Sequence, residues 1–215
     1  MKMAVFIALL STLVFSSVSF GVVGIETVSS TEKFEDITLL DKASIMIDTA
    51  KTELNKVSHG LRKKAVFGLV PVRVYVLELL AANGSKLDKS DEGFLKSLKA
   101  SGPVLLHITF LRDLPGSKIS EAFKEGLESN GIKKLTPELD QVLKEISNIK
   151  EFKKNESFSI VVNWKDTQST VYLQQSGSEI KTVAGSPELA ENFLSIWFGK
   201  PSDGRLNDLK KSLIQ

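Results

Sequence analysis

Between Val66 and Leu80 the chain reads VFGLVPVRVYVLELL, with Val70, Val72, Val74 and Val76 on one side of an extended strand and Leu69, Arg73, Tyr75 and Leu77 on the other. Both sides are mostly apolar, so the strand is expected to be covered on both faces. Pro71 lacks an N–H for a ladder and points to an edge position or a bulge. The spacing then changes to helical: Phe94, Leu95 and Leu98 predict a short amphipathic helix near residues 89–99, stopped by Gly102 and Pro103. PVLLHITFL reads as a strand. Ser117 is a candidate N-cap for a helix with Ile119, Ala122, Phe123 and Leu127 on one stripe and Gly131 as its stop. Thr136 caps the next helix, Pro137 takes its first position, and Leu139, Val142, Leu143 and Ile146 form the buried stripe. SFSIVVNWKDTQSTVYLQQ reads as a hairpin turning near Asp166 and Thr167, with a further strand at Glu179–Ala184. Ser186 and Pro187 open a helix through SPELAENFLSIWFGK, and a last short helix is expected near Leu206–Leu213. Residues 22–43 have no clear period and read as a polar lead-in with one short strand.

Strands and helices do not alternate strictly, and the hairpin implies antiparallel pairing. The expected class is therefore α+β, with helices laid on one face of a sheet. No internal repeat or low-complexity linker divides the chain. The opening MKMAVFIALLSTLVFSSVSFG has one lysine, an apolar stretch from Met3 to Phe15 and then small residues, the pattern of an export signal over residues 1–21. Its apolar run is broken by Ser11, Thr12, Ser16 and Ser17 and falls short of the roughly 20 apolar residues a membrane span needs. Residues 22–215 are then expected to form a single domain, periplasmic or secreted, with no stable membrane span once the signal is removed.

Charge and composition narrow the chemistry. The net charge of +2 is too small and too scattered for a phosphate-binding surface, so nucleic acid is not an expected partner. The chain has no cysteine, which excludes thiol catalysis, iron–sulfur clusters, cysteine zinc sites and disulfides, and leaves stability to the core. The two histidines, His59 and His107, lie at no metal-ligand spacing, so neither a zinc site nor a serine triad is expected. No phosphate-binding loop, nucleophile elbow or dinucleotide fingerprint occurs, and no cofactor is expected.

One polar segment stands against the apolar pattern. In HGLRKKAVF three cations, Arg62, Lys63 and Lys64, precede the long apolar run. Two readings are open: a solvated turn before a strand, or an Arg62 whose planar fork enters a cleft to meet a carboxylate while the two lysines face water.

Three blocks taken together, GLRKKAVFGLVPVRVYVLEL, LLHITFLRDLPGSKISEAFKEGLESNGI and LAENFLSIWFGKPSDGRLNDLKKSLI, resemble the chalcone isomerase-like family in order, spacing and endings, over roughly Leu54 to Ile214. The resemblance implies an open-faced β-sandwich, a large antiparallel sheet covered by a helical layer with a ligand cleft between them. It also implies three alternative functions. The plant enzymes of the family cyclise chalcones, plastid relatives bind fatty acids, and many bacterial members have no assigned activity.

Carried over position by position, the family's catalytic arginine falls on Arg62. Its catalytic threonine falls on Val70, its tyrosine on Ile119, its asparagine on Gly126 and its late-helix hydroxyl on Ile196. The resemblance thus keeps one cation and replaces the polar groups that would orient water. It implies an exported, non-catalytic protein that binds a small amphipathic carboxylate such as a fatty acid, with Arg62, Val70, Ile119, Gly126, Ile196 and Trp197 as the ligand-binding set and Tyr75 or Arg73 as a substitute for the missing tyrosine. The alternatives are a cell-envelope scaffold with no ligand and an intramolecular lyase using Arg62 with other partners.

Overall fold

The extended segments pair in the order in which they occur along the chain. In the computed structural model, which describes residues 23–66 and 70–215, eight strands form one antiparallel sheet: β1 (Val23–Phe34), β2 (Ile37–Ile47), β3 (Ala50–Val66), β4 (Val70–Ala81), β5 (Val104–Phe110), β6 (Ser157–Lys165), β7 (Gln168–Gln175) and β8 (Lys181–Gly185). The α+β class and the open-faced architecture expected from the sequence are thereby realised. The proposed export segment, residues 1–21, and Leu69 lie outside the described residues. Among the described residues no helix is long and apolar enough to cross a membrane.

Five helices, α1 (Phe94–Ala100), α2 (Gly116–Ser129), α3 (Pro137–Ser147), α4 (Pro187–Phe198) and α5 (Gly204–Ile214), are described, and they cover one face of the sheet. The apolar stripes of α1, α2 and α3 are the ones the spacing predicts. Ile119, Phe123 and Leu127 of α2, Leu139, Val142, Leu143 and Ile146 of α3, and Phe193, Ile196 and Trp197 of α4 meet Leu77, Leu79, Leu106, Ile108 and Ile160 from the strands. Thr136 caps α3 by accepting the Leu139 N–H at 3.3 Å, with Pro137 in the first turn. The start of α2 differs from expectation. The helix begins at Gly116 after an extended Pro115, and Ser117 is an exposed residue within it.

The polar lead-in is the largest departure from the sequence reading. From Val23 to Ala43 the chain is not a lead-in with one short strand but contributes β1 and most of β2, and β3 extends from Ala50 to Val66. The sheet curls so that β2 folds over the reverse face. Leu40, Ala43 and Ile45 pack there on Leu54, Leu80, Leu105, Val161 and Tyr172 as a second core. This explains why β4 is apolar on both faces. Leu77 and Leu79 meet the helices, whereas Leu80 meets β2. Pro71 pairs with Ala65 of β3 but lies beyond the end of β5, because the β4–β5 ladder reaches only to Tyr75 and Phe110. That stretch is locally an edge, so the absent N–H costs no ladder bond.

Candidate functional site

β3 presents Ser58, Gly60 and Arg62, alternate residues of one face, to α5. The Ser58 hydroxyl donates to the Leu213 carbonyl at 2.6 Å. A Cβ on Gly60 would lie 2.7 Å from Leu209 Cδ1 and 3.0 Å from Ser212 Cβ, so glycine is what lets the helix approach this closely. Arg62 then meets the residue that begins α5. Its Nη1 donates to Asp203 Oδ1 at 2.8 Å and its Nη2 to Asp203 Oδ2 at 2.5 Å, a bidentate fork, and Nη1 also donates to the Lys63 carbonyl at 2.6 Å.

Of the two readings of HGLRKKAVF, the structure therefore takes the second. Arg62 is only 8% exposed, Lys63 is half-buried and Lys64 is exposed, all within a strand and not a turn. Burial pushes the Arg62 guanidinium toward losing its proton, but the hydrogen bonds to Asp203, joined by the charges of Tyr75, Asp203 and Glu125, together outweigh it and hold its pKa above the usual value. Burial likewise pushes Asp203 up. The hydrogen bonds from Arg62 and from the Leu206 N–H, the latter at 2.8 Å, pull harder and leave its carboxyl below the ordinary range.

Behind this pair lies a cavity of about 50 Å³. Its apolar wall is Val74, Tyr75, Ile119, Phe123, Ile196 and Leu206, and its rim carries Lys64, Glu125 and Ser202. Tyr75 is buried, and its hydroxyl accepts the Trp197 Nε1 hydrogen at 3.0 Å. Burial raises the Tyr75 pKa against the opposing pull of Arg62. On the outer side of the pair an open groove of about 510 Å³ runs past Lys64, Ala65, Asp203, Gly204, Arg205 and Asp208.

The residues singled out from sequence are only partly brought together. Arg62, Ile119 and Ile196 line the cavity. Trp197 stands behind it, edge-on to Phe123 with ring centres 4.9 Å apart. Gly126 packs beneath Ile196, whose Cγ2 would lie 3.0 Å from an added Cβ. Val70 does not join them. It is 62% exposed at the start of β4, opposite Val66.

Val70 stands five extended residues before Tyr75, beyond the end of the cavity, and a bulge between the two sets which intervening side chains face inward. Arg62 pairs with Tyr75 but Lys63 pairs with Arg73, leaving Val74 without a partner and reversing the alternation at that point. Val74 and Tyr75 both reach the cavity, while Arg73 turns away to Glu35, at 2.5 Å. The sequence reading missed Asp203, Leu206, Phe123 and Val74 as site residues. Asp203 carried one local signal, its place as N-cap of α5 in the run SDGRL, but its partner lies 141 positions away.

Two other clefts among the described residues have no buried charge beside an apolar interior. A cleft of about 450 Å³ beside the β1–β2 turn is lined by Arg73, Lys154, Thr38 and Thr109, and its arginine is satisfied by Glu35 at the surface. Among the described residues no group of three or more histidine and acidic side chains is placed to hold a metal ion. His107 is a core residue of the reverse face. It pairs with the Ser159 hydroxyl at 3.1 Å, and burial lowers its pKa to about 4.

Comparison with known proteins places this geometry. No curated protein sequence matches the chain. Among solved structures, the crystal structure of an Arabidopsis thaliana fatty-acid binding protein is similar with a TM-score of 0.59 at 15% sequence identity, covering 88% of this chain and 96% of that one. At that identity the likeness concerns the fold. The profile described as chalcone isomerase-like matches residues 31–214, from the end of β1 to the end of α5, and so the chain belongs to the chalcone isomerase-like family.

Proposed function

We propose that this protein is an exported, non-catalytic member of its family that binds a small amphipathic carboxylate, with the head group on Arg62 and the apolar tail between α2 and α4. The observation that carries the reading is a guanidinium, 8% exposed, that faces a hydrocarbon-walled cavity and already holds a carboxylate in a bidentate fork. Asp203 occupies the geometry that a ligand carboxylate would take. A structural neighbour that binds fatty acid on the same fold adds support.

The residues around the cavity support a non-catalytic role. Apart from Arg62, the interior group able to move a proton is the Tyr75 hydroxyl, which is buried, bonded to Trp197 and pushed toward its neutral form. Val74, Ile119, Phe123 and Ile196 cannot orient a water. Export is supported by the signal-like pattern of residues 1–21.

A second reading is favoured by one dimension. The cavity of about 50 Å³ is far below the roughly 300 Å³ at which ligand pockets begin, so a tail enters only if Ile119, Phe123 and Ile196 separate. With Arg62 already paired, the cleft would otherwise serve as the packed interior of a scaffold.

Fluorescence titration with dansyl-undecanoic acid, displaced by decanoate, distinguishes the two. Saturable binding by the wild-type protein, weakened at least tenfold in Arg62→Ala and in Arg62→Lys, is the expected result, because lysine keeps the charge but not the fork. Equal affinity in all three proteins, or no binding by any, removes the carboxylate reading and leaves the scaffold.

A further inference from the structure

Asp203 holds two structures together. Its carboxylate closes the fork of Arg62, and the same Oδ1 accepts the Leu206 N–H that starts α5. Arg62 lines the inner cavity of about 50 Å³ and Asp203 lines the outer groove of about 510 Å³, so the ion pair is the partition between them.

The two halves of α5 are anchored differently. Towards its C-terminus, Leu209 sits on Gly60, the Leu213 carbonyl accepts from Ser58, and Lys210 Nζ donates to the Gly199 carbonyl at 2.9 Å and stands 2.8 Å from Asp91. At its N-terminus the polar attachment to the sheet is Asp203 itself, followed by the buried Leu206, while Gly204 and Arg205 are exposed. On the opposite wall, Glu125 of α2 reaches Lys64 at 3.6 Å between two side chains more than half exposed, a pair that opens at little cost.

We infer that Asp203 is a removable internal ligand, exchanged on Arg62 for the carboxylate of an incoming amphiphile while it continues to cap α5 from the side of the outer groove. This rests on the reading of Arg62 as a head-group site and adds how that site is kept and opened. The physical advantage is that the buried guanidinium is never left alone. One carboxylate replaces another, whereas simple opening would strand an unpaired charge. Two carboxylates on one fork repel, so occupancy is exclusive. The outer groove supplies Lys64 and Arg205 as the surroundings into which Asp203 turns. The exchange also sets a selectivity: a planar carboxylate matches the fork, and an alcohol of the same chain length does not.

Asp203→Asn tests this on the full domain, because asparagine caps a helix as well as aspartate but competes weakly for Arg62. Asp203→Ser, a second capping residue with no charge, guards against a peculiarity of one variant. Both are expected to bind dansyl-undecanoic acid about tenfold more tightly than wild type, since the competing closed state is removed. In the wild-type protein, decanoate is expected to speed hydrogen exchange at residues 203–206, and decanol is not. If neither variant binds more tightly although Arg62→Lys still weakens binding, the exchange is refuted and the head-group site stands. If wild type and both variants all fail to bind, the head-group site falls and the exchange with it.

Discussion

Glu78 offers a test of the fold that does not depend on any ligand. It lies on the reverse face of β4, 1% exposed, opposite His59 of β3 and His107 of β5, and its Oε1 accepts the Leu40 N–H at 2.7 Å where β2 crosses over. Burial raises its pKa from 4.5 to about 7, against the Leu40 bond and Lys56, with Glu32 adding to the rise. A folded pKa above the unfolded one means that Glu78 destabilises the fold progressively as pH climbs from about 4.5 to about 7, and by a constant amount beyond. At 1.36 kcal/mol per pH unit over that interval, the constant amount is about 3 kcal/mol.

His107 titrates with the opposite sense. Its pKa falls from 6.5 to about 4 on folding, so its contribution is full above 6.5 and is lost as pH drops through that range. The two nearly cancel in the wild-type protein, and the informative quantity is the difference between variants. Glu78→Gln keeps an acceptor for the Leu40 N–H and removes the charge. Urea denaturation followed by tryptophan fluorescence at pH 4.5, 6 and 8 is expected to show Glu78→Gln equal to wild type at the lowest pH and up to about 3 kcal/mol more stable at the highest, less whatever the buried amide N–H groups cost. A stability difference between the two proteins that does not grow from pH 4.5 to pH 8 refutes the raised pKa of Glu78.

Three further outcomes follow from the site. Trp197→Phe leaves the buried Tyr75 hydroxyl without its donor and should cost about 1–3 kcal/mol in urea denaturation beyond the lost ring area; adding Tyr75→Phe should recover part of that loss. Gly60→Ala drives a methyl to within 3.0 Å of Ser212 Cβ on α5 and should cost about 1–3 kcal/mol while speeding hydrogen exchange across residues 203–214, and unchanged exchange there would show that α5 is not seated by this glycine. Chalcone absorbance should decay in the presence of the protein no faster than spontaneously, and any saturable acceleration would restore the lyase reading.

Much of the helical layer was legible from local pattern. Stripes at Leu139, Val142, Leu143 and Ile146 or at Ile119, Phe123 and Leu127, with Thr136–Pro137 ahead of one of them, specify a helix and its buried side without knowledge of the partner. The hairpin from Ser157 to Gln175 was legible for the same reason, because its two strands are joined by a short turn and read one another's register. The first third of the domain was not. The apolar residues Leu39, Leu40, Ala43 and Ile45 follow no clean period because β2 bends from its place beside β3 onto the reverse face, and that face exists only after β4 to β7 have assembled.

What the sequence determined by itself is a set of periodicities, caps and turns, together with a short run of cations, Arg62 to Lys64, set just ahead of an apolar strand, since each is set by neighbours within one or two turns of chain. The tertiary structure decided which wall Arg62 faces and what it holds. One unpaired residue at Val74 brought that side chain inward beside Tyr75 and turned Arg73 outward, while Val70, at the far end of β4, was left at the surface. Asp203 reached Arg62 from across the domain because Gly60 let α5 lie against β3. Bulges and long-range ion pairs are settled by close packing between distant segments, and no local repeat records them.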